Sequence, residues 1–172
     1  MKTSQRFKFY KYYAVAGDIF DCINKVNKDI IVVIPHVCGT SGKFNSGFAG
    51  ALSQKHPETK INYEMLSSYK LGEIQIINID KNKIVVNMIC DNESLNKNTR
   101  TLNYYCLGKC MANIRNYIKL NYKDSEIKKC QIHAPRFGTG RPGGDWNFIS
   151  ELINDVWFDI ETFIYTQKRE RD

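Results

Sequence analysis

The chain has 172 residues, a formal net charge of +7, 42% hydrophobic residues and 12% aromatics. That length and apolar content fit one globular domain with a sizeable core and exclude a disordered chain. The longest apolar runs are far too short to span a bilayer, and the start Met1-Lys2-Thr3-Ser4-Gln5-Arg6 runs on without the apolar segment of a signal peptide, so the expectation is a cytoplasmic protein with no membrane partner.

Residues 12–20 read as a strand ending at a Gly17-Asp18 turn. Residues 29–38 are a run of β-branched residues with no alternation, as in a strand buried on both faces. A glycine-rich loop follows, from Gly39 to Gly50, and a helix from about Ser46 to Lys55, stopped before His56-Pro57. A second helix is predicted over 58–69. Residues 74–79 and 83–90 flank Asp80-Lys81-Asn82 as a β-hairpin. The polar stretch 91–98 reads as a surface loop, and 102–120 as a helix carrying Leu102, Cys106, Met111, Ile114 and Ile118. Residues 129–135 form a strand that leads into a second glycine-rich loop, Gly138-Thr139-Gly140-Arg141-Pro142-Gly143-Gly144. Residues 146–157 form a helix and 159–165 a last strand.

Strands alternating with helices predict a three-layer α/β/α sandwich on a mixed sheet. Ligands of such folds sit at the carboxyl ends of the strands, where both glycine loops fall. Glycine lets backbone N–H groups approach a ligand that a Cβ would hold off, and a loop of this kind before a helix cradles phosphate. Two such loops point to a ligand with two adjacent phosphates, held from both sides. Ser46-Gly47-Phe48 and Gly138-Thr139-Gly140-Arg141, with Gly42 upstream, are the candidate donors. The alternative is that these glycines only make tight turns.

The positive charge is dispersed, with small clusters at Lys2, Arg6, Lys8, Lys11 and at Lys168, Arg169, Arg171. Nucleic-acid binding needs a cationic stripe, so a solvated surface that assists capture of an anion is the favoured reading. Six cysteines form no CxxC pair, and none of the three histidines is spaced to complete a metal site with Cys106 and Cys110. Reduced thiols, no metal and no cofactor are expected.

The order Gly17-Asp18-Ile19-Phe20, Ile34-Pro35-His36-Val37-Cys38, Ser46-Gly47-Phe48-Ala49-Gly50, Leu71-Gly72, Val86-Asn87-Met88-Ile89 and Pro135-Arg136-Phe137-Gly138-Thr139-Gly140 resembles the macro domain, a module that binds ADP-ribose. The resemblance covers 12–166 as a single domain, leaving 1–11 and 167–172 as basic terminal extensions. It is strongest to the branch holding ADP-ribose 1''-phosphate phosphatases, terminal ADP-ribose protein glycohydrolases and small phage and bacterial proteins.

The resemblance implies that Asp18 accepts a hydrogen bond from the adenine amino group, with the Ile19 N–H beside it. The competing role for Asp18 is a helix cap. Phe44 and Phe137 are candidates to line the ribose pocket and Tyr165 to pack on adenine, although each could equally be core. In related glycohydrolases a Lys ends the strand after the hairpin, and here that position falls on Cys90. Their loop Asp falls near Pro142, so the covalent Lys mechanism is excluded. His36, Cys90, Asp91 and Asp145 remain near the distal ribose. Asp145 could act as a base on water or merely cap the 146–157 helix. His36 reads first as a structural histidine, and Cys90 has no adjacent cation to activate its thiol. The implied function is a hydrolase that removes a phosphate, acyl or macromolecular group from the distal ribose of an ADP-ribose derivative. The alternatives are a non-catalytic ADP-ribose reader and, further off, a nucleic-acid-binding module.

Overall fold

The computed structural model describes residues 12–96, 98–122 and 129–167. The expected basic extensions fall outside them, save Gln167. Six strands are formed: β1 Tyr13–Ala16, β2 Ile31–Gly39, β3 Ile74–Asp80, β4 Lys83–Asp91, β5 Cys130–Pro135 and β6 Glu161–Thr166. They make one mixed sheet in the order β1-β6-β5-β2-β4-β3. Every pairing is parallel except the β3–β4 hairpin. The helices are α1 Ile19–Asn24, α2 Gly47–Lys55, α3 Pro57–Glu64, α4 Tyr104–Asn121 and α5 Trp146–Val156.

The absence of alternation in β2 has a direct cause: both of its faces are covered. Val33 packs with α4 and α5 in one apolar cluster, while Val32 and Ile34 pack with α1, α2 and α3 in another. Strand β4 follows the same two-residue period, with Ile84, Val86, Met88 and Cys90 toward α4 and Val85 toward the other layer. Each fully buried Ile, Leu or Met stabilises the fold by roughly 1.5–3 kcal/mol. Helix α4 supplies six buried residues, including Cys106 and Cys110 on one face, as their spacing requires. Trp157, 1% exposed, donates its indole N–H to the Met111 carbonyl at 3.0 Å and ties the end of α5 to α4.

Several boundaries shift by one or two residues from the sequence reading, such as β2 and β6, which each start two residues late, and three shifts have a local cause. The first strand stops at Ala16, and Ile19-Phe20 open α1 instead, because the Asp18 carboxylate accepts the N–H groups of Phe20 and Asp21 at 2.7 and 3.2 Å. Helix α3 ends at Glu64 rather than 69, where the chain reverses so that Tyr69 packs on Tyr63 with ring centroids 4.8 Å apart. Helix α4 starts two residues late, because Leu102 bridges to Asp91 and Asn103 caps the Cys106 N–H at 2.9 Å. Among the described residues no helix is long and apolar enough to cross a membrane.

Candidate functional site

The carboxyl ends of β2, β4 and β5 open into one elongated cleft of three chambers. A central chamber of about 360 Å³ lies between the two glycine loops. A side chamber of about 520 Å³ is lined by Asp18, Ile19, Phe20, Lys55 and Tyr165, and shares Gly47, Phe48 and Pro135 with the central one. A far chamber of about 120 Å³ holds Ser41, Leu95 and Thr101, and shares Lys43, Asp91, Glu93 and Arg141 with the centre. The central chamber thus adjoins each of the other two through shared walls.

The two loops put unspent donors on both walls. In the second loop, Gly144 N–H bonds to the Gly138 carbonyl at 2.8 Å and Gly143 N–H to Gly140 at 3.0 Å, which fixes the turn. Among the described residues nothing accepts from the N–H groups of Gly138, Thr139, Gly140 or Arg141. The Thr139 hydroxyl is spent on the Arg136 carbonyl at 2.9 Å, so this residue offers only backbone. In the first loop, Ser46 precedes α2 without a side-chain cap bond, leaving the first-turn N–H groups of Gly47 and Phe48 open to the cleft. Uncapped first-turn donors carry the positive end of the helix dipole and favour an anion. A Cβ at Gly47 or Gly140 would meet nothing within 4 Å, so both faces are open.

The side chamber is walled by aromatics. Phe20 stacks on Phe48, centroids 5.6 Å apart and 7° from parallel, and Tyr165 is held by a 2.6 Å hydrogen bond between its hydroxyl and His133 Nδ1. Burial pushes the Tyr165 hydroxyl up to about 12, so it stays protonated. Asp18 is exposed here. Its Oδ1 caps α1, and capping and ligand contact are compatible because a carboxylate has several acceptor sites.

His36 lines the central chamber but is 2% exposed and locked. Its Nε2 meets Asn87 Oδ1 at 2.5 Å, and Asn87 in turn donates to Gln75 at 3.1 Å. Desolvation lowers its pKa to about 4, against that hydrogen bond. A neutral ring wedged edge-on against Phe44 and Phe48 shapes the wall and carries no charge at neutral pH. Phe44 and Phe137 line the same chamber with only slivers of surface, 1% and 3% exposed, and so serve core and cleft together.

At the junction of central and far chambers sits Asp91, 8% exposed, with Oδ1 buried and without a hydrogen-bond partner among the described residues. Burial foremost, and the charge of Glu93, raise its pKa, while a Thr101 hydrogen bond and the Arg141 charge pull it down. A buried carboxyl with an unanswered oxygen in a cleft is the pattern of a reactive group.

Three expected site residues stand elsewhere. Cys90 is fully buried, with its thiol 3.5 Å from the Met88 carbonyl. The strand period turns it into the α4 layer and brings Asp91 to the cleft. Asp145 lines none of the three chambers. Its carboxylate caps α5 by accepting from Asn147 N–H at 2.8 Å, and its own N–H is held by the Tyr104 hydroxyl at 2.8 Å. Gly42 has φ +78° and turns the loop past the Tyr69 ring outside the cleft. The sequence reading missed Lys43, Glu93 and Thr101. Glu93 belongs to a polar stretch that reads as solvent loop, and only the adjacent Asp91 hints at its place.

No protein-family model and no curated protein matches the chain. Solved structures do. A protein of unknown function from Bacteroides thetaiotaomicron aligns with a TM-score of 0.76 at 23% identity, over 90% of this chain and 96% of that one. A macrodomain protein from Streptomyces coelicolor aligns with a TM-score of 0.70 at 21% identity, over 90% and 98%. DarTG of Thermosipho africanus, solved in complex with ADP-ribose, aligns with a TM-score of 0.62 at 16% identity, over 92% of this chain and 42% of that one. With its six-stranded mixed sheet and these structural neighbours, the chain has the macrodomain fold.

Proposed function

We propose that the cleft binds ADP-ribose derivatives and that the chain is a hydrolase acting on the distal ribose. The observation that carries the binding reading is the pair of facing walls with open N–H donors and no Cβ at Gly47 or Gly140. That pair suits a diphosphate in the central chamber. Adenine then falls to the side chamber, against Tyr165 and Phe20 and within the reach of Asp18 and the Ile19 N–H, and the distal ribose falls toward Asp91 and Arg141. Each hydrogen bond to a charged group is worth roughly 1.5–3 kcal/mol, so a few of them supply most of a micromolar affinity, about −8 kcal/mol. The bound ADP-ribose in the fold neighbour from Thermosipho africanus supports the same ligand here.

For the chemical step we assign Asp91 the role of positioning and deprotonating a water that attacks at the distal ribose or its substituent. The loop donors and Arg141 stabilise the anionic product. A carboxyl whose pKa is raised is a stronger base once ionised. Turnover then rises with pH through the raised Asp91 pKa. Asp91→Asn removes the base and lowers turnover about 10²–10⁴-fold, with ADP-ribose affinity nearly kept. The test has two arms. Calorimetry compares ADP-ribose with AMP, and micromolar binding of the first with much weaker binding of the second is expected. Product release is then followed from ADP-ribose 1''-phosphate, O-acetyl-ADP-ribose and ADP-ribosylated protein. Tight binding without turnover of any of them identifies a reader, and equal affinity for AMP removes the two-walled cradle.

A further inference from the structure

Glu93 occupies space that a side chain on β2 would otherwise fill. A Cβ at Gly39 would overlap the Glu93 carboxylate. The glutamate therefore reaches from the segment after β4 across the end of β2, and only glycine at 39 lets it lie there. Two bonds hold it in that pose: Ser41 Oγ donates to Glu93 Oε2 at 2.6 Å, and Glu93 N–H donates to Thr40 Oγ1 at 3.1 Å. The second carboxylate oxygen, Oε1, lies over Gly39 without a hydrogen-bond partner among the described residues. Glu93 lines both the central and the far chamber, beside the unpartnered Oδ1 of Asp91. Two carboxyl side chains thus line one junction, Asp91 with its unpartnered Oδ1 buried and Glu93 with Oε1 unengaged among the described residues. An ionised carboxylate only accepts hydrogen bonds, so its fitting partner is a donor, and a vicinal diol offers two. The free terminal phosphate of a nucleoside diphosphate, set in place of that sugar, offers none when ionised and is repelled.

We infer that Glu93 is the specificity-determining residue of the far end of the cleft: its carboxylate takes the hydroxyls of the sugar that follows the diphosphate and turns away nucleotides whose diphosphate ends free, with no sugar beyond it. The inference rests on the ADP-ribose reading and adds to it the residue that selects the sugar. Gly39 acts through Glu93, as the place that must stay empty.

The experiment is calorimetry of the full chain in EDTA with ADP-ribose and with ADP, which shares the adenosine and diphosphate but lacks the second sugar. Wild type is expected to prefer ADP-ribose by at least tenfold. Glu93→Ala should lose ten- to a hundredfold for ADP-ribose, the range of a hydrogen bond to a charged partner, while binding ADP severalfold more tightly. Gly39→Ala should give the same loss by displacing an intact glutamate, and the double substitution should be no worse than either single one, since both break a single contact. Glu93→Gln keeps the volume and an acceptor for Ser41, so it holds the loop, and it should still relieve the repulsion of ADP. An equal loss for both ligands in Glu93→Ala, with Glu93→Gln like wild type, would make Glu93 a loop clasp and overturn the inference. An unchanged preference in Glu93→Ala would overturn it as well. Failure of the wild type to bind either ligand would sink the ADP-ribose reading itself, a result distinct from both.

Discussion

The two glycine loops look alike in sequence and are built differently. The first ends in an uncapped helix start: Ser46 gives α2 no side-chain cap and a Cβ at Gly47 would meet nothing within 4 Å, while Cβ atoms at Gly39, Gly42 and Gly50 would crowd Glu93, Tyr69 and the Asn45 carbonyl rather than the apolar core. The second is a packed turn. A Cβ at Gly144 would lie 2.5 Å from Leu102 and 2.7 Å from the Gly138 carbonyl, and one at Gly138 would lie 2.9 Å from Leu102. Its helix is capped, by Asp145. Among the glycines of that loop only Gly140 has nothing within 4 Å of a Cβ. A glycine count therefore does not measure a binding site. Some glycines leave room for a ligand, and others leave room for the protein's own core.

This contrast can be broken by substitution. The largest effect is expected at Gly140. Gly140→Glu places a negative side chain where the diphosphate is proposed to sit, and ADP-ribose binding should fall by roughly a hundredfold or more, the loss of about two charge-assisted hydrogen bonds, with a near-normal melting temperature. Retained binding in calorimetry would take the second loop out of the phosphate site. Next comes Gly144→Val, which overpacks against Leu102 and should cost about 1–3 kcal/mol. At roughly 2–4 °C per kcal/mol for a chain of this size, thermal denaturation reads it easily. A normal melting temperature would mean that Leu102 yields and that the second loop is not held by the core.

Smaller effects separate the helix starts. Asp145→Ala removes the side-chain bond to the Asn147 N–H in the first turn of α5 and should cost about 0.5–2 kcal/mol. Asp145→Asn should keep wild-type turnover, because the carboxylate lies outside the cleft. A large drop in turnover for the Asn variant would return Asp145 to the mechanism at the expense of Asp91. Ser46→Ala is the smallest change. Since Ser46 makes no cap bond, its loss should stay within about 0.5 kcal/mol. If urea unfolding shows a cost as large as that of Asp145→Ala, the two helix starts are equivalent after all.

The strand and helix pattern of the chain was legible in its residues. The non-alternating run of β2, the hairpin about Asp80-Lys81-Asn82 and the stripe on α5 each encode local burial, which period alone reports. The position of both glycine loops at strand ends was legible for the same reason, and most of their residues line the cleft. The place of each candidate acid was not. Asp145 and Asp91 both read as acids near a loop. The sequence cannot tell a cap from a cleft wall, because each depends on where the chain around it turns.

What the sequence by itself determined is the set of elements, their order and the macro-domain resemblance, all properties of local periodicity and motif spacing. What only the tertiary structure decided is direction. The parity of β4 sends Cys90 into the core and Asp91 to the cleft, after a register shift at Cys38 and Gly39 pairs Gly39 with Asp91. Leu102, thirty-six residues before Gly138, fills the space a side chain at that position would need. Glu93 reaches the space above Gly39 from fifty-four residues away. Contacts of that separation carry no periodic signal along the chain. They arise when adjacent strands and the loops at their ends are brought together by the sheet.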